Sequence, residues 1–390
     1  MNLLKEKTKV LILTHYTERS EEGEDTDMRI LSYLKNKVKK IVLITHPLPE
    51  FGHHTSYCLT FINGHKTQEI KASVYNGPEL LKYVHHILIT YYFLLKTGLF
   101  FDLCITMENL SFISVFPLRL LKLIKKLVYY SIDFTPQRFS HPFLNGFYHF
   151  IDKLACKTSD TNWVMVEEQI KKRKQYNITT LNSAPFSIVP IGYDIKKINI
   201  LPVEKIDFHN ILYMGAIRES MGPQLAIQTM PMLIKKIPKI HLTIIGTGKY
   251  LDYLKELVKK LNLDSYVDFT GYIEKFQQMT DLMTQKSIGL APYVPAKGSF
   301  SYYSDPSKIK LYMCCGLPVI TTNVATMSNL ISKTKSGVVI DYSPKALADA
   351  ITYLLGNKNR YKSCREAAIK LSQIFDINHV MNIAIKNIPG

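Results

Sequence analysis

Acidic residues are scarce: 32 Asp and Glu stand against 49 Lys and Arg, leaving a net charge of +17. That balance favours an anionic partner, whether nucleic acid, an acidic membrane or a phosphorylated small molecule. Cysteine pairing is absent too. The six cysteines (Cys58, Cys104, Cys156, Cys314, Cys315 and Cys364) include no CxxC spacing, which excludes a small disulfide framework and a zinc ribbon. They read as reduced, mostly buried thiols of a cytoplasmic protein. Twelve histidines contain no HExxH, and the adjacent pairs His53-His54 and His85-His86 cannot share one face of a helix or strand, so no metal site is expected. The first strand is not followed by GxGxxG, the dinucleotide fingerprint. Residues 1–9 lack the apolar core of a signal peptide. The most apolar run, Ile87 to Cys104, is interrupted by Lys96, Gly98 and Asp102. It reads as a buried helix, a turn at Thr97-Gly98 and a strand over Leu103–Thr106, rather than as a membrane span.

What remains is an ordinary globular composition, 46% hydrophobic and 21% charged, which is enough to bury a core. Its 390 residues suggest two domains. Val10–Thr14 is a continuous apolar run suited to a buried parallel strand. An acidic loop from His15 to Asp27, a helix with Ile30, Leu31 and Leu34 inward, and the strand Ile41–Thr45 follow. Residues 50–80 carry turns at Asn63-Gly64 and Asn76-Gly77 but resist assignment. Residues 116–127 predict a basic amphipathic helix with Arg119, Lys122 and Lys126 on one side, either resting on an anionic bilayer or packed on the sheet. The strand Val128–Asp133 ends in an acid at its carboxyl end, where doubly wound sheets hold ligands, so Asp133 borders the expected site. The four cations Lys171-Lys172-Arg173-Lys174 read as a solvated helix face.

Strict strand and helix alternation resumes after a linker at Leu201–His209. Strand Ile211–Met214 runs into Gly215, strand Leu242–Ile245 into Gly246-Thr247-Gly248, and strand Val267–Thr270 into Gly271. A short helix then begins at Asp305-Pro306-Ser307-Lys308, with Asp305 as N-cap and Pro306 at the first helical position, and stops at Gly316 and Pro318. Exposed N–H groups beside Ser307 and Lys308 make this helix start a candidate phosphate or diphosphate site. An ordinary capped helix fits the same residues.

Taken together, Val189–Asp194, Met214–Arg218, Ile245–Gly248, Phe269–Ile273 and Pro306–Ile320 resemble, in order and spacing, the motifs of GT-B glycosyltransferases of the large group 1 (GT4-like) retaining family. The resemblance implies two doubly wound parallel-sheet, Rossmann-like domains facing a cleft: an acceptor-side domain over 1–200, a nucleotide-sugar domain over 201–365, and a terminal helix over 366–390 crossing back. It implies glycosyl transfer from a nucleotide-diphosphate sugar to a glycan or lipid-linked acceptor, with retention and without a cofactor or metal. Gly215, Gly246, Gly248, Tyr272, Ile273, Asp305, Ser307 and Lys308 would hold the donor. Lys308 and Arg218 would stabilise the leaving diphosphate, and His15 and Asp133 would stand on the acceptor side.

Several positions depart from the family pattern. Its glutamate pair falls on Tyr303 and Leu311, its basic pair on Ala216 and Met221, and its fourth-strand histidine on Ile132. A divergent enzyme, a non-catalytic relative and a nucleotide-sugar epimerase are therefore all in view, although the epimerase would need carboxylates and a histidine that the donor motif lacks. The cations are scattered and accompany no recognised DNA or RNA motif, which speaks against a nucleic-acid partner. Contact with an anionic membrane surface, with the protein peripheral on the inner face of the cell membrane, fits the charge better.

Overall fold

The computed structural model describes residues 4–16, 25–48, 53–132, 134, 136–295, 305–323 and 327–390. The chain divides into two compact units, Met1–Pro190 with Val380–Gly390, and Ile191–His379.

The first unit runs β1 (Lys9–Tyr16), α1 (Thr26–Leu34), β2 (Lys40–Pro47), β3 (Thr55–Ile62), β4 (His65–Ser73), α2 (Glu79–Thr97), β5 (Phe101–Met107), α3 (Asn109–Leu120), β6 (Ile124–Ser131), α4 (Pro142–Thr158), β7 (Thr161–Val164), α5 (Glu167–Arg173) and β8 (Phe186–Ile188). Its sheet has the order β4-β3-β2-β1-β5-β6-β7-β8. The six strands from β2 to β8 are parallel, and the apolar runs of β1 and β2 are buried on both faces. β3 and β4 are antiparallel, so this sheet is mixed rather than purely parallel. Asn63 and Gly64 join them with φ of 49° and 83°, the left-handed pair that a two-residue type I′ hairpin demands. The apolar run after residue 87 is the end of α2, the turn at Gly98 (φ 108°) and β5. Among the described residues no helix is long and apolar enough to cross a membrane.

Two expectations fail here. The basic helix over 116–127 does not exist: α3 ends at Leu120, Lys122 takes a left-handed φ of 57°, and Ile124–Lys126 already belong to β6. Pro117 lies inside α3. Register decides the outcome, because Ile124 and Leu127 are buried when β6 pairs Phe101 with Ile124 and Cys104 with Leu127. Arg173, assigned to a solvated face, is 0% exposed. Its Nε and Nη2 donate to the two carboxylate oxygens of Asp152 at 2.9 Å each, and Nη2 also reaches Ser131 Oγ at 2.7 Å. Tyr129 donates its hydroxyl to the same carboxylate at 2.6 Å, and the Phe134 ring lies 4.3 Å from the guanidinium. This buried strut ties α4 and α5 to the carboxyl end of β6.

The second unit runs β9 (Asn210–Met214), α6 (Pro223–Lys236), β10 (His241–Ile245), α7 (Leu251–Lys260), β11 (Val267–Gly271), α8 (Phe276–Thr284), β12 (Gly289–Ala291), α9 (Ser307–Cys314), β13 (Val319–Thr322), α10 (Ser328–Thr334), β14 (Gly337–Ile340), α11 (Pro344–Leu355) and α12 (Lys358–Ser372), and the chain ends in α13 (Ile377–Lys386). Its strands, ordered β11-β10-β9-β12-β13-β14, are all parallel. Ala226, Met230 and Leu233 on α6 and Leu254 and Val258 on α7 are buried in one core with β9 and β10, and Ile237, Leu251 and Leu261 pack partly buried against it.

Removing one partner of a buried ion pair leaves the other uncompensated, at a cost of about 3–5 kcal/mol. Asp152→Ala is expected to lose stability on that scale in urea titrations at pH 7, with Arg173→Met plus Asp152→Leu losing much less. A single-variant loss below about 1 kcal/mol would mean the pair is not a strut.

Candidate functional site

Three glycine turns at the carboxyl ends of β9, β10 and β11 build the floor of the site in the second unit. Gly215 N–H donates to Ile245 O at 3.0 Å, Ile217 N–H to Thr247 O at 2.8 Å, and Gly246 N–H to Gly271 O at 2.8 Å. The turns approach so closely that a Cβ on Gly246 would stand 2.1 Å from Gly215 O, and one on Gly248 2.3 Å from Ile217 O. Only glycine satisfies that contact, and at Gly215 and Gly246 it also satisfies a φ of 131°.

α9 brings Lys308 onto this floor. Its side chain is buried, with Cε and Nζ 3.2 and 3.3 Å from where a Gly215 Cβ would be. Nζ donates to Tyr213 Oη at 3.0 Å and lies 4.3 and 5.2 Å from the ring centroids of Tyr213 and Tyr293. Ring faces attract the ammonium but do not neutralise it. Among the described residues no carboxylate pairs with it, and burial alone pulls its pKa down from 10.5 to about 7. The helix is pinned in place by Tyr312, whose hydroxyl accepts from Met214 N–H at 2.6 Å and donates to Leu290 O at 3.1 Å. Gly289 makes room for that ring, since a Cβ there would sit 2.4 Å from Tyr312 Cγ. Gly316 (φ 77°) terminates α9, with Leu317 N–H returning to Tyr312 O at 2.9 Å.

Asp305 is not the N-cap. Pro306 occupies that place, without side-chain capping, and α9 starts at Ser307. The Asp305 carboxylate is spent elsewhere: both its oxygens meet Lys310 Nζ, and Oδ2 accepts from Ile191 N–H at 2.7 Å. Both side chains of this pair are nearly inaccessible, at 3% and 2% exposure, so Asp305 braces the 191–193 segment against α9 rather than presenting a free carboxylate. Tyr193 completes the brace by donating to Ser307 O at 3.0 Å. Leu311, where the family pattern has a glutamate, is buried in the apolar core; Tyr303 lies outside the described residues.

The structure therefore brings Gly215, Gly246, Gly248, Ser307 and Lys308 together, with Tyr272 exposed and Ile273 half-buried just past Gly271. Arg218 is exposed on the rim, and among the described residues no hydrogen bond, ion pair or ring contact joins its side chain to Lys308. Tyr213, Tyr293 and Lys310 went unnoticed in the sequence, the tyrosines because an aromatic at the end of a strand reads as core.

In the first unit the carboxyl ends of β1 and β5 carry His15 and Glu108; Asp133, just beyond β6, lies outside the described residues. Glu108 sits at a φ of 68°, costly for a side chain, and its Oε1 accepts from Ile132 N–H at 2.7 Å. Gln169 Nε2 donates to Ile132 O at 2.8 Å, so the residue before Asp133 is held from both sides. His15 joins a buried imidazole cluster. His46 stacks on His86 at 4.7 Å with 12° between the planes, and His15 lies 5.3 Å from His86. Because Thr90 gives its hydroxyl proton to His86 O, it accepts from His46 Nε2–H, and His46 Nδ1 accepts from Ser56. Burial and, next, the Arg138 charge lower the His15 pKa to about 4; burial with the His15 and His85 imidazoles and Lys82 lowers that of His86 to about 3. His15 is therefore a neutral hydrogen-bonding group at pH 7 and a weak base. Among the described residues no group of three or more His, Cys, Asp or Glu is placed to hold a metal ion.

Residues 202–371 match the family model of glycosyl transferases group 1. D-inositol 3-phosphate glycosyltransferase of Paenarthrobacter aurescens is 27% identical over 182 residues, 42% of this chain and 41% of that protein. Alpha-monoglucosyldiacylglycerol synthase of Streptococcus pneumoniae is 25% identical over 217 residues, 53% of this chain and 45% of that protein. The chain thus spans less than half the length of these curated relatives. Among solved structures, sucrose-phosphate synthase of Thermosynechococcus elongatus superposes with a TM-score of 0.70 at 14% identity, covering 97% of this chain and 98% of that one. HepE of Anabaena in complex with UDP gives 0.66 at 14% identity, covering 97% and 99%. These likenesses show the fold, GT-B, with two Rossmann-like domains.

An unpaired buried ammonium costs stability that a neutral side chain of similar length would not. Lys308→Met is expected to stabilise the ligand-free protein by about 1–3 kcal/mol in thermal or urea unfolding at pH 7. A loss of stability would mean that the Tyr213 and ring contacts outweigh the desolvation.

Proposed function

We propose that the chain, whose residues 202–371 match the family model of glycosyl transferases group 1, transfers a sugar from a nucleoside-diphosphate sugar to a glycan or lipid-linked acceptor. The reading includes retention of anomeric configuration, independence of a metal, and a place in the synthesis of cell-surface polysaccharide or glycolipid. The observation that carries it is Lys308: a buried cation without a carboxylate, set against glycine turns at the carboxyl edge of a parallel sheet. Such a site lacks a negative charge, and a diphosphate supplies one. As the glycosidic bond breaks, charge grows on the leaving diphosphate. A preorganised ammonium meets that charge without reorganisation, which favours the transition state over the bound donor.

Support for the donor class comes from HepE, whose structure is a complex with UDP. For the acceptor, the names of the two relatives point to an inositol phosphate as the substrate of the first and a monoglucosyl diacylglycerol as the product of the second. A lipid-borne acceptor at an anionic membrane also suits the surplus of cations. Asp133 would take or orient the acceptor's hydroxyl proton, and neutral His15 would contact a hydroxyl at the same sheet edge. Arg218 would assist the diphosphate from the rim.

A second reading has its own observation. Leu311 is in the core and Asp305 is committed to Lys310, so no carboxylate stands ready for the sugar or ribose at the family's positions. A protein that binds the nucleotide without turnover would look the same there.

A thermal-shift panel of UDP, GDP, ADP, CMP and dTDP separates these outcomes when run on the wild type and Lys308→Ala. One diphosphate is expected to raise the melting temperature by about 2–4 °C in the wild type only. Release of that diphosphate from its sugar nucleotide then distinguishes enzyme from binder. No shift with any of the five, on folded protein, would overturn the nucleotide site.

A further inference from the structure

The most unusual surface of the first unit is the outer face of three neighbouring helices. α2, α3 and α4 cover one side of the sheet and bury Ile89, Phe93, Phe112, Val115, Ile151 and Ala155 against it. Their outer sides are not polar. On α2, Leu81, Val84, Leu88, Tyr92 and Leu95 recur at helical spacing and are all exposed, Leu88 at 61% and Leu95 at 73%. They form one stripe about 21 Å long. On α4, Phe143, Phe147 and Phe150 repeat the pattern, with Phe143 at 75% exposure. Between them α3 ends in exposed Leu120 and Leu121. Single exposed apolar residues need no explanation, but two parallel stripes on one face do.

The charge on this face is predominantly positive. The three helices carry Lys82, Lys96, Arg119, Lys153 and Lys157 against only Glu79 and Asp152. Asp152 is buried on Arg173, and Glu79 accepts from Tyr83 at 3.1 Å and lies 3.7 Å from Arg138. Just past α3, an open groove of about 590 Å³ is lined by Phe116, Arg119, Leu120, Lys122 and Lys125 among others. Arg119 and Lys125 hold Asp160 and Asp102 there, while Lys122 projects from its left-handed turn into solvent.

We propose that this face docks on an anionic lipid bilayer, with the α2 and α4 stripes entering the headgroup boundary and Lys96, Lys122 and Lys157 pairing with lipid phosphates. The charge decides between possible occupants. A second copy meeting this face isologously would bring cations against cations, whereas an anionic bilayer neutralises them and covers the apolar stripes at once. The proposal names the surface behind a membrane-presented acceptor but stands on its own observations. Nucleotide binding can fail without affecting it, and the reverse also holds.

Flotation of the full chain with vesicles of phosphatidylcholine, with or without about one third phosphatidylglycerol, tests it. The wild type is expected to float with the anionic vesicles, and added salt should weaken but not abolish the association. Leu88→Glu with Leu95→Glu, and separately Phe143→Ser with Phe147→Ser, should each cut the bound fraction at least about tenfold. Lys96→Glu with Lys157→Glu should reduce it several-fold at low salt only. The melting temperature of each variant should stay near wild type, because every replaced side chain faces solvent. No flotation of wild type, equal flotation with neutral vesicles, or undiminished flotation of the stripe variants would overturn the proposal. So would a wild-type dimer, seen by light scattering, that the stripe variants break without any lipid binding.

Discussion

A lysine side chain buried without a counter-ion among the described residues is the constraint around which the second unit is built. Lys308 gains a hydroxyl from Tyr213 and two ring faces, and none of these cancels its charge. The chain could satisfy it cheaply, since Asp305 stands three residues earlier on the same segment. Asp305 is instead drawn to Lys310 and to the backbone of Ile191. The acid thus stabilises the position of α9 while the neighbouring lysine stays electrostatically open. Tyr312 and the space left at Gly289 fix the same helix from the sheet side. A rigid support and an unfilled charge together make an anion site, at a cost in stability of the ligand-free state.

The first unit places its strain and its buried charge at the corresponding edge of its own sheet. Glu108 takes a costly backbone conformation and holds Ile132, while the Arg173–Asp152 pair holds Ser131 one residue earlier. The strand end that leads to Asp133 is therefore clamped at two successive residues, by the half-buried Glu108 side chain and by the buried Arg173–Asp152 pair. The imidazoles nearby work in the opposite sense. Crowded together and buried, His15, His46 and His86 stay neutral, which suits them to hydroxyl contacts and not to holding phosphate.

Alternation of apolar runs with helical spacing made most of the second unit legible, because its strands are short and parallel and the first three, β9, β10 and β11, run into glycine. Lys308 and the glycine turns were visible for the same reason: a helix start after a sheet edge is a local pattern. Contacts between distant residues were not. Asp305 and Lys310 are five apart, a spacing that predicts no pairing on a helix, and Tyr213 stands 95 positions from the lysine it contacts. The break between α3 and β6 was hidden because the chain turns at Lys122 without Gly or Pro. The hairpin at Asn63-Gly64 did carry its signal, and the polar β4 masked it. Arg173 looked like one of four surface cations; only the fold could show that Asp152 waits beneath it.

The account rests on Lys308 being largely uncharged in the empty protein above neutral pH and charged when a diphosphate arrives. Calorimetric titration of the bound nucleoside diphosphate at pH 8, in two buffers of different ionisation enthalpy, counts the protons taken up on binding. The diphosphate itself is fully ionised there, and a lysine with a pKa of about 7 is mostly neutral. Binding is predicted to take up close to one proton in the wild type and none in Lys308→Met. Tight binding with no proton uptake would contradict the claim, because the ammonium would then have been charged, and paired, before the nucleotide came.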